Sequence, residues 1–189
     1  MRNYIIPIFV FSLVFLIGCA QPPNIASPSI PSETVSGTPY CKYIIGSDFP
    51  ISSPYGMRNG RPHHGIDIAR YPGDESIPRG AKLRVEVSGE VVRSASHSGY
   101  GNTIDVLLAN GERLRFAHLN KRNVAVGDSV SPGTVIGEIG DTGDGGVHLH
   151  YEIRIQGGAD FSGAIDEHVR NPANDRHTFS IEDCRKRNR

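Results

Sequence analysis

Gly146-Val147-His148-Leu149-His150-Tyr151-Glu152-Ile153 sets two histidines two positions apart inside a run of strand-forming residues. Side chains alternate across a strand, so this spacing puts both imidazoles on one face, next to Glu152. A stiff backbone that fixes the separation of two ring nitrogens suits a metal ion or a proton relay, because both need donors at defined positions. The pair alone does not say which.

A hydrolytic zinc site needs about three protein ligands and one open position for water, so partners must lie elsewhere in the chain. Arg61-Pro62-His63-His64-Gly65-Ile66-Asp67 offers a histidine and a carboxylate four apart, with Gly65 allowing the backbone to turn closely between them. A further histidine stands in Arg115-Phe116-Ala117-His118-Leu119, again in an apolar, strand-like setting. No HExxH occurs, so a helical glutamate base is excluded and the histidines remain as the candidates for proton transfer. Taken singly, His63 with Asp67 reads as a surface hydrogen bond and His118 as a satisfied strand histidine; their joint occurrence points to a site.

Around these residues, glycine and proline punctuate short runs of Val, Ile and Leu at strand length, with no sustained helical period. Leu83-Arg84-Val85-Glu86-Val87 alternates and turns at Ser88-Gly89 into Glu90-Val91-Val92-Arg93. Residues 103–108 are answered by residues 113–119 across Ala109-Asn110-Gly111, a strong hairpin signal. Residues 130–139 supply more strand around Pro132-Gly133. The expectation is a mainly β fold, an antiparallel sheet forming an open groove, with helix limited to short pieces such as residues 161–169. Asp141-Thr142-Gly143-Asp144-Gly145-Gly146 would then be a flexible rim beside His148.

Between residues 49 and 155 the ordered blocks resemble the M23 (LytM or lysostaphin-like) zinc metallopeptidases, which cut the peptide bridges of bacterial peptidoglycan. The blocks are Ile51-Ser52-Ser53-Pro54-Tyr55-Gly56-Met57-Arg58, His63-His64-Gly65-Ile66-Asp67, Ser88-Gly89-Glu90-Val91-Val92, Gly99-Tyr100-Gly101-Asn102, Ala117-His118-Leu119, Val126-Gly127-Asp128-Ser129-Val130, and Thr142-Gly143 leading into His148-Leu149-His150. The resemblance implies a LytM/lipoyl-like barrel-sandwich core and one Zn2+ per chain. Residue by residue, it carries His63, Asp67 and His150 onto the metal ligands, and His118 and His148 onto the catalytic histidines. The implied substrate is the peptide stems and cross-links of peptidoglycan: D-alanine to meso-diaminopimelate in a Gram-negative envelope, glycine bridges in a Gram-positive one. His64 is expected to point away from the metal; His97, His168 and His177 match no block. Glu152 is either a partner fixing an imidazole tautomer or an exposed strand carboxylate. Arg58 and Tyr55 are expected at the groove, with core packing an equal reading for Tyr55.

Upstream, Met1-Arg2-Asn3 and the apolar residues 4–17 read as a signal peptide, and Leu16-Ile17-Gly18-Cys19 resembles a lipobox whose cysteine is lipidated. The expected division is residues 1–18 as lipoprotein signal peptide, 19–39 as lipidated Cys19 and tether, and 40–189 as the peptidase domain. The Pro-, Ser- and Thr-rich tether would reach several tens of Å at about 3 Å per residue. Ala20 after the cysteine favours the outer membrane facing the periplasm, given a Gram-negative host. Cys41 and Cys184 bracket the domain and are expected to pair as a disulfide in an oxidising compartment.

With 20 basic and 20 acidic residues the charges balance, which implies no steering toward an anionic polymer; no nucleic-acid partner is expected. The C-terminal Arg185-Lys186-Arg187-Asn188-Arg189 reads as a solvated tail. Residues 157–179 depart from the short family ending. Two other classes compete. A catalytically silent relative that activates a separate wall amidase would lack site residues, whereas all five positions are filled here; a restrained enzyme with a protein regulator is the variant of that reading. A lipoyl-like adaptor is suggested by Val126-Gly127-Asp128-Ser129-Val130-Ser131-Pro132-Gly133, but no lysine stands near the Asn110-Gly111 turn, and the histidines go unexplained.

Overall fold

The computed structural model describes residues 40–44, 51–70, 76–143, 145–155, 169–174 and 178–182. The signal peptide, Cys19, the tether, Cys184, His168, His177 and the basic tail lie outside these residues, as do positions 161–168 of the expected helix. At its far end, Val169 is in a strand. The one helical turn among the described residues is a 3-10 turn, Pro172–Asn174. No helix of the described residues is long and apolar enough to cross a membrane.

The strands, in chain order, are β1 Tyr40–Ile44, β2 Gly56–Arg58, β3 Arg61–His63, β4 Ile66–Ile68, β5 Lys82–Val85, β6 Gly89–His97 and β7 Gly101–Leu107. They continue as β8 Arg113–Leu119, β9 Lys121–Arg122, β10 Ser129–Val130, β11 Val135–Glu138, β12 Leu149–Arg154, β13 Val169–Arg170 and β14 Thr178–Glu182. Strands β1-β14-β5-β11-β9 form one open sheet, β10-β6-β7-β8-β12-β13 a second, with β4 also on β12, and β2 and β3 pair as a separate two-stranded sheet. Every pairing is antiparallel. The expected mainly β, open-groove architecture is what forms.

The hairpin around Asn110-Gly111 is present, with Leu107 opposite Arg113. The chain at residues 86–88 does not close a hairpin: β5 belongs to one sheet and β6 to the other, so this segment crosses between layers. The run around Pro132-Gly133 likewise divides, β10 pairing with β6 and β11 with β5. Both segments carry apolar residues for one shared interior, and periodicity cannot say which sheet a strand joins.

That interior lies between the sheets. Phe116 on β8 and Tyr151 on β12 meet Phe179 on β14, with ring centroids 6.1 and 5.2 Å from it and 5.3 Å from each other. Ile104, Val106, Leu114, Leu149 and Ile153 from one sheet, and Leu83, Val85 and Ile181 from the other, are fully or almost fully buried. Each contributes about 1.5–3 kcal/mol of hydrophobic stabilisation. Leu149, Tyr151 and Ile153 thus turn one face of β12 inward and leave His150, Glu152 and Arg154 on the other.

Candidate metal centre and active site

Strand β12 is flanked on both sides where the site forms. His150 is opposite Ala117 of β8 on one edge and Asp67 of β4 on the other. Strand β4 comes this close because Gly65 has no side chain. A Cβ there would sit 2.3 Å from the Tyr151 carbonyl oxygen and 2.9 Å from His150 Cε1. His63 is delivered by the β2–β3 hairpin, whose Asn59 and Gly60 both take positive φ (48° and 77°), the two-residue turn that Asn-Gly favours.

Three donor atoms converge: His63 Nε2 is 3.0 Å from Asp67 Oδ1 and 3.1 Å from His150 Nδ1, and His150 Nδ1 is 2.8 Å from Asp67 Oδ1. The outer nitrogen of each ring is already committed, His63 Nδ1–H donating to the Pro54 carbonyl (2.7 Å) and His150 Nε2–H to Glu152 Oε1 (2.9 Å). With only those outer protons in place, the inner nitrogens would turn lone pairs toward a carboxylate. Three acceptors this close require a positive charge at their centre, which a proton or a metal ion supplies. Two imidazoles and one carboxylate, all buried or half-buried, form a donor set that fits zinc, whose bonds to such ligands are about 2.0–2.2 Å.

His118 and His148 flank this group. Their ring centroids are 4.5 Å apart, His118 lies 5.7 Å from the His150 ring, and His148 Nε2 is 3.8 Å from Asp67 Oδ1. Each is oriented through its other nitrogen: His118 Nδ1–H donates to the Thr142 carbonyl (2.8 Å) and His148 Nδ1–H to that of Gly146 (2.7 Å). His118 has φ of 59°, a left-handed conformation uncommon outside glycine. Its N–H donates to the Tyr100 carbonyl (2.9 Å), so backbone and ring are both tied to loops rather than to the neighbouring strand.

The rim at residues 141–143 is anchored, contrary to the flexible rim expected. Thr142 Oγ1 donates to the Leu119 carbonyl and accepts from the Asn102 N–H. Gly143 packs so closely on Gly101 that an added Cβ would lie 2.4 Å from the Gly101 nitrogen. This contact fixes the oxygen that orients His118.

Burial is the largest single influence on each of these groups, but it prevails only at His118. It pushes His118 down to about 4 against the hydrogen bond to Thr142, so the ring is neutral at neutral pH. For Asp67, burial acts to raise the carboxyl, but hydrogen bonds from His150 and His63 outweigh it and hold the group well below its ordinary range. For His150, burial acts downward and the hydrogen bonds to Asp67 and Glu152 win, raising it.

All five expected site residues are brought together around a cavity of about 380 Å3, whose wall also includes Arg58, His64 and Tyr100. His64 lines the cavity without joining the three converging donors. Arg58 Nη1 donates to Asp67 Oδ2 (3.2 Å) and Ser53 Oγ. Tyr55 packs on the core and its hydroxyl donates to the Val169 carbonyl. Glu152 is fully buried against His150 and is no exposed carboxylate. Tyr100, whose hydroxyl donates to Glu152 Oε1 (2.7 Å), stands in the block Gly99-Tyr100-Gly101-Asn102, to which the sequence assigns no role.

The open, antiparallel β fold with a His-Asp-His cluster in a groove is that of a peptidase-like domain. The chain belongs to peptidase family M23, whose family model matches residues 61–161. It is 40% identical over 114 residues to the DD-carboxypeptidase/endopeptidase Mpg of Neisseria meningitidis, covering 57% of this chain and 25% of that protein. To the peptidoglycan DD-endopeptidase ShyA of Vibrio cholerae it is 33% identical over 124 residues, covering 61% and 27%. The chain thus spans about a quarter of the length of these relatives. The catalytic domain of lysostaphin from Staphylococcus simulans superposes with a TM-score of 0.51 at 30% identity, covering 70% of this chain and 89% of that one.

Proposed function

We propose that the chain is a zinc-dependent endopeptidase that hydrolyses peptide cross-links of bacterial peptidoglycan. The observation that carries this reading is the convergence of His63 Nε2, Asp67 Oδ1 and His150 Nδ1 with every outer ring nitrogen already committed. Relatives that are peptidoglycan endopeptidases support the substrate class. In this reading His63, Asp67 and His150 hold the ion. When bound, zinc is a Lewis acid that makes water a nucleophile at neutral pH and polarises a carbonyl oxygen.

The chain's own groups do the rest. His118, neutral at neutral pH, takes up a proton at Nε2 while the Thr142 carbonyl holds its Nδ1–H. His148 is held at the Gly146 carbonyl through Nδ1–H, and it serves the oxygen on which charge develops as the imidazolium, donating its Nε2–H there. Tyr100 and His64 line the space in which an extended peptide would lie. The proposal includes export and anchoring through Cys19, supported by the signal-like residues 1–18, with the outer membrane facing the periplasm as the place in a Gram-negative cell. Replacing Cys19 by alanine should release the protein from membranes in fractionated cells; retention there counts against the anchor.

The test is digestion of purified cross-linked peptidoglycan with mass readout of products, in parallel with a zinc chelator and with His150→Ala. Loss of cross-linked dimers that depends on zinc and on His150 supports the reading and names the bond. Protein that binds zinc yet releases nothing opposes the enzyme, and protein that binds no zinc opposes the metal site.

A further inference from the structure

The face of the second sheet turned away from the apolar core carries charge in lateral register. Arg93 of β6 is opposite Asp105 of β7, Asp105 is opposite Arg115 of β8, and Arg115 is opposite Glu152 of β12. Asp105, Arg115 and Glu152 are all 0% exposed. Arg115 grips Asp105 with both arms of its fork, Nε to Oδ1 and Nη2 to Oδ2, each at 2.8 Å. That fixes the guanidinium plane and leaves Nη1 facing Glu152 Oε2 at 3.7 Å, with the Tyr100 ring 5.1 Å from its Cζ. Arg154 Nη1 donates to the same Oε2 at 2.7 Å. The other oxygen, Oε1, is thereby turned to His150 Nε2.

Burying such charges for stability alone is poorly rewarded, since well-packed apolar residues serve as well or better. The opposite face of the same strands shows that this chain makes an apolar face where stability is the requirement. What the charged row adds is direction: its last member is the group that decides which nitrogen of His150 carries the proton.

We propose that Arg115 and Asp105, which touch neither the donor cluster nor the cavity, are positioning residues for the metal centre. They hold Glu152 so that Oε1 faces His150 Nε2–H and Nδ1 is committed to the point shared with His63 and Asp67. The inference rests on the metal reading given under Proposed function only for its affinity arm; the tautomer of His150 tests it independently.

The experiment compares the full chain with Asp105→Asn, Arg115→Lys and Arg115→Met, and with Ile153→Val as a control on the core face of β12. Nitrogen-15 NMR of the metal-free protein, recorded above the pH at which folded His150 gives up its second proton, reads the His150 tautomer; chelator competition reads zinc affinity, and thermal melts confirm folding. Asp105→Asn and Arg115→Met should mix the tautomers and weaken zinc binding about 10- to 100-fold, the range typical of partners that orient a ligating histidine. Arg115→Lys, which keeps the charge but loses the fork, should fall between them and the wild type. Ile153→Val, which removes a buried methyl group, should lower the melting temperature while leaving tautomer and affinity unchanged. Folded Asp105→Asn or Arg115→Lys protein with a single Nε2–H tautomer and wild-type affinity would overturn the inference. Should the wild type bind no zinc, the metal reading fails, and the tautomers of the variants still decide whether the row positions His150.

Discussion

The two faces of β12 do different work with the same backbone. Leu149, Tyr151 and Ile153 fill the space between the sheets, where contacts are interchangeable in kind and add up by area. His150, Glu152 and Arg154 are buried almost as completely, yet each has a named polar partner at hydrogen-bond distance. Nothing on the charged face can be exchanged for a residue of similar volume without stranding another charge. Equal burial therefore hides two kinds of dependence, one on volume and one on orientation.

Substitutions on the two faces should separate these dependences. His150→Ala should abolish hydrolysis of cross-linked peptidoglycan, by at least about 10³-fold, with zinc stoichiometry falling below one. Leu149→Ala should instead cost about 2–5 kcal/mol of stability in urea titrations while the folded fraction still binds zinc. Equal loss of zinc in both would erase the distinction. Gly65→Ala tests the edge where the faces meet. Its methyl group would sit 2.3 Å from a backbone oxygen that cannot swing away, so β4 must part from β12. A loss of roughly 1–3 kcal/mol, together with weaker zinc binding, is expected, because Asp67 moves with the strand.

The smallest effect concerns pH. His118 titrates at about 4 in the folded protein, below the ordinary histidine value near 6.5 that holds in the unfolded chain. Between those values the unfolded chain binds more protons, so this group lowers stability as pH falls from about 6.5 to 4 and contributes no slope above that window. His150 is raised and acts with the opposite sign: its contribution is present at low pH and lost as pH rises through its folded value. Comparing wild type with His118→Gln isolates the first effect. The variant's urea midpoint should fall less between pH 6.5 and 4.5, and parallel curves would show that His118 is not held neutral by burial.

The parts legible in the sequence are those written as local pattern. The Asn110-Gly111 hairpin needs only its turn residues and flanking alternation. The spacing of His148 and His150 needs only the strand period, whereas the five site residues could be assigned their roles before their geometry was known because their blocks resemble those of a known family. The left-handed backbone of His118 could not, because it is imposed by the Tyr100 and Thr142 carbonyls, which come from elsewhere in the chain. Asp105, Arg115 and Arg154 read as the wetted face of alternating strands; only lateral register, set by three separate pairings, reveals that they are buried against one another. The crossing of residues 86–88 between sheets was hidden for a related reason, since both sheets draw on the same apolar alphabet.

The separation of His63 from His150 by 87 positions also sets an order in time. A ribosome adding about 5–20 residues per second delivers the second histidine roughly 4 to 17 s after the first. During that interval β4 has no β12 to lie against, and the donor set is one member short. The centre therefore cannot be assembled before β12 emerges, and a truncated chain that ends before β12 carries the hairpin, the carboxylate and His118 without a place for them to meet.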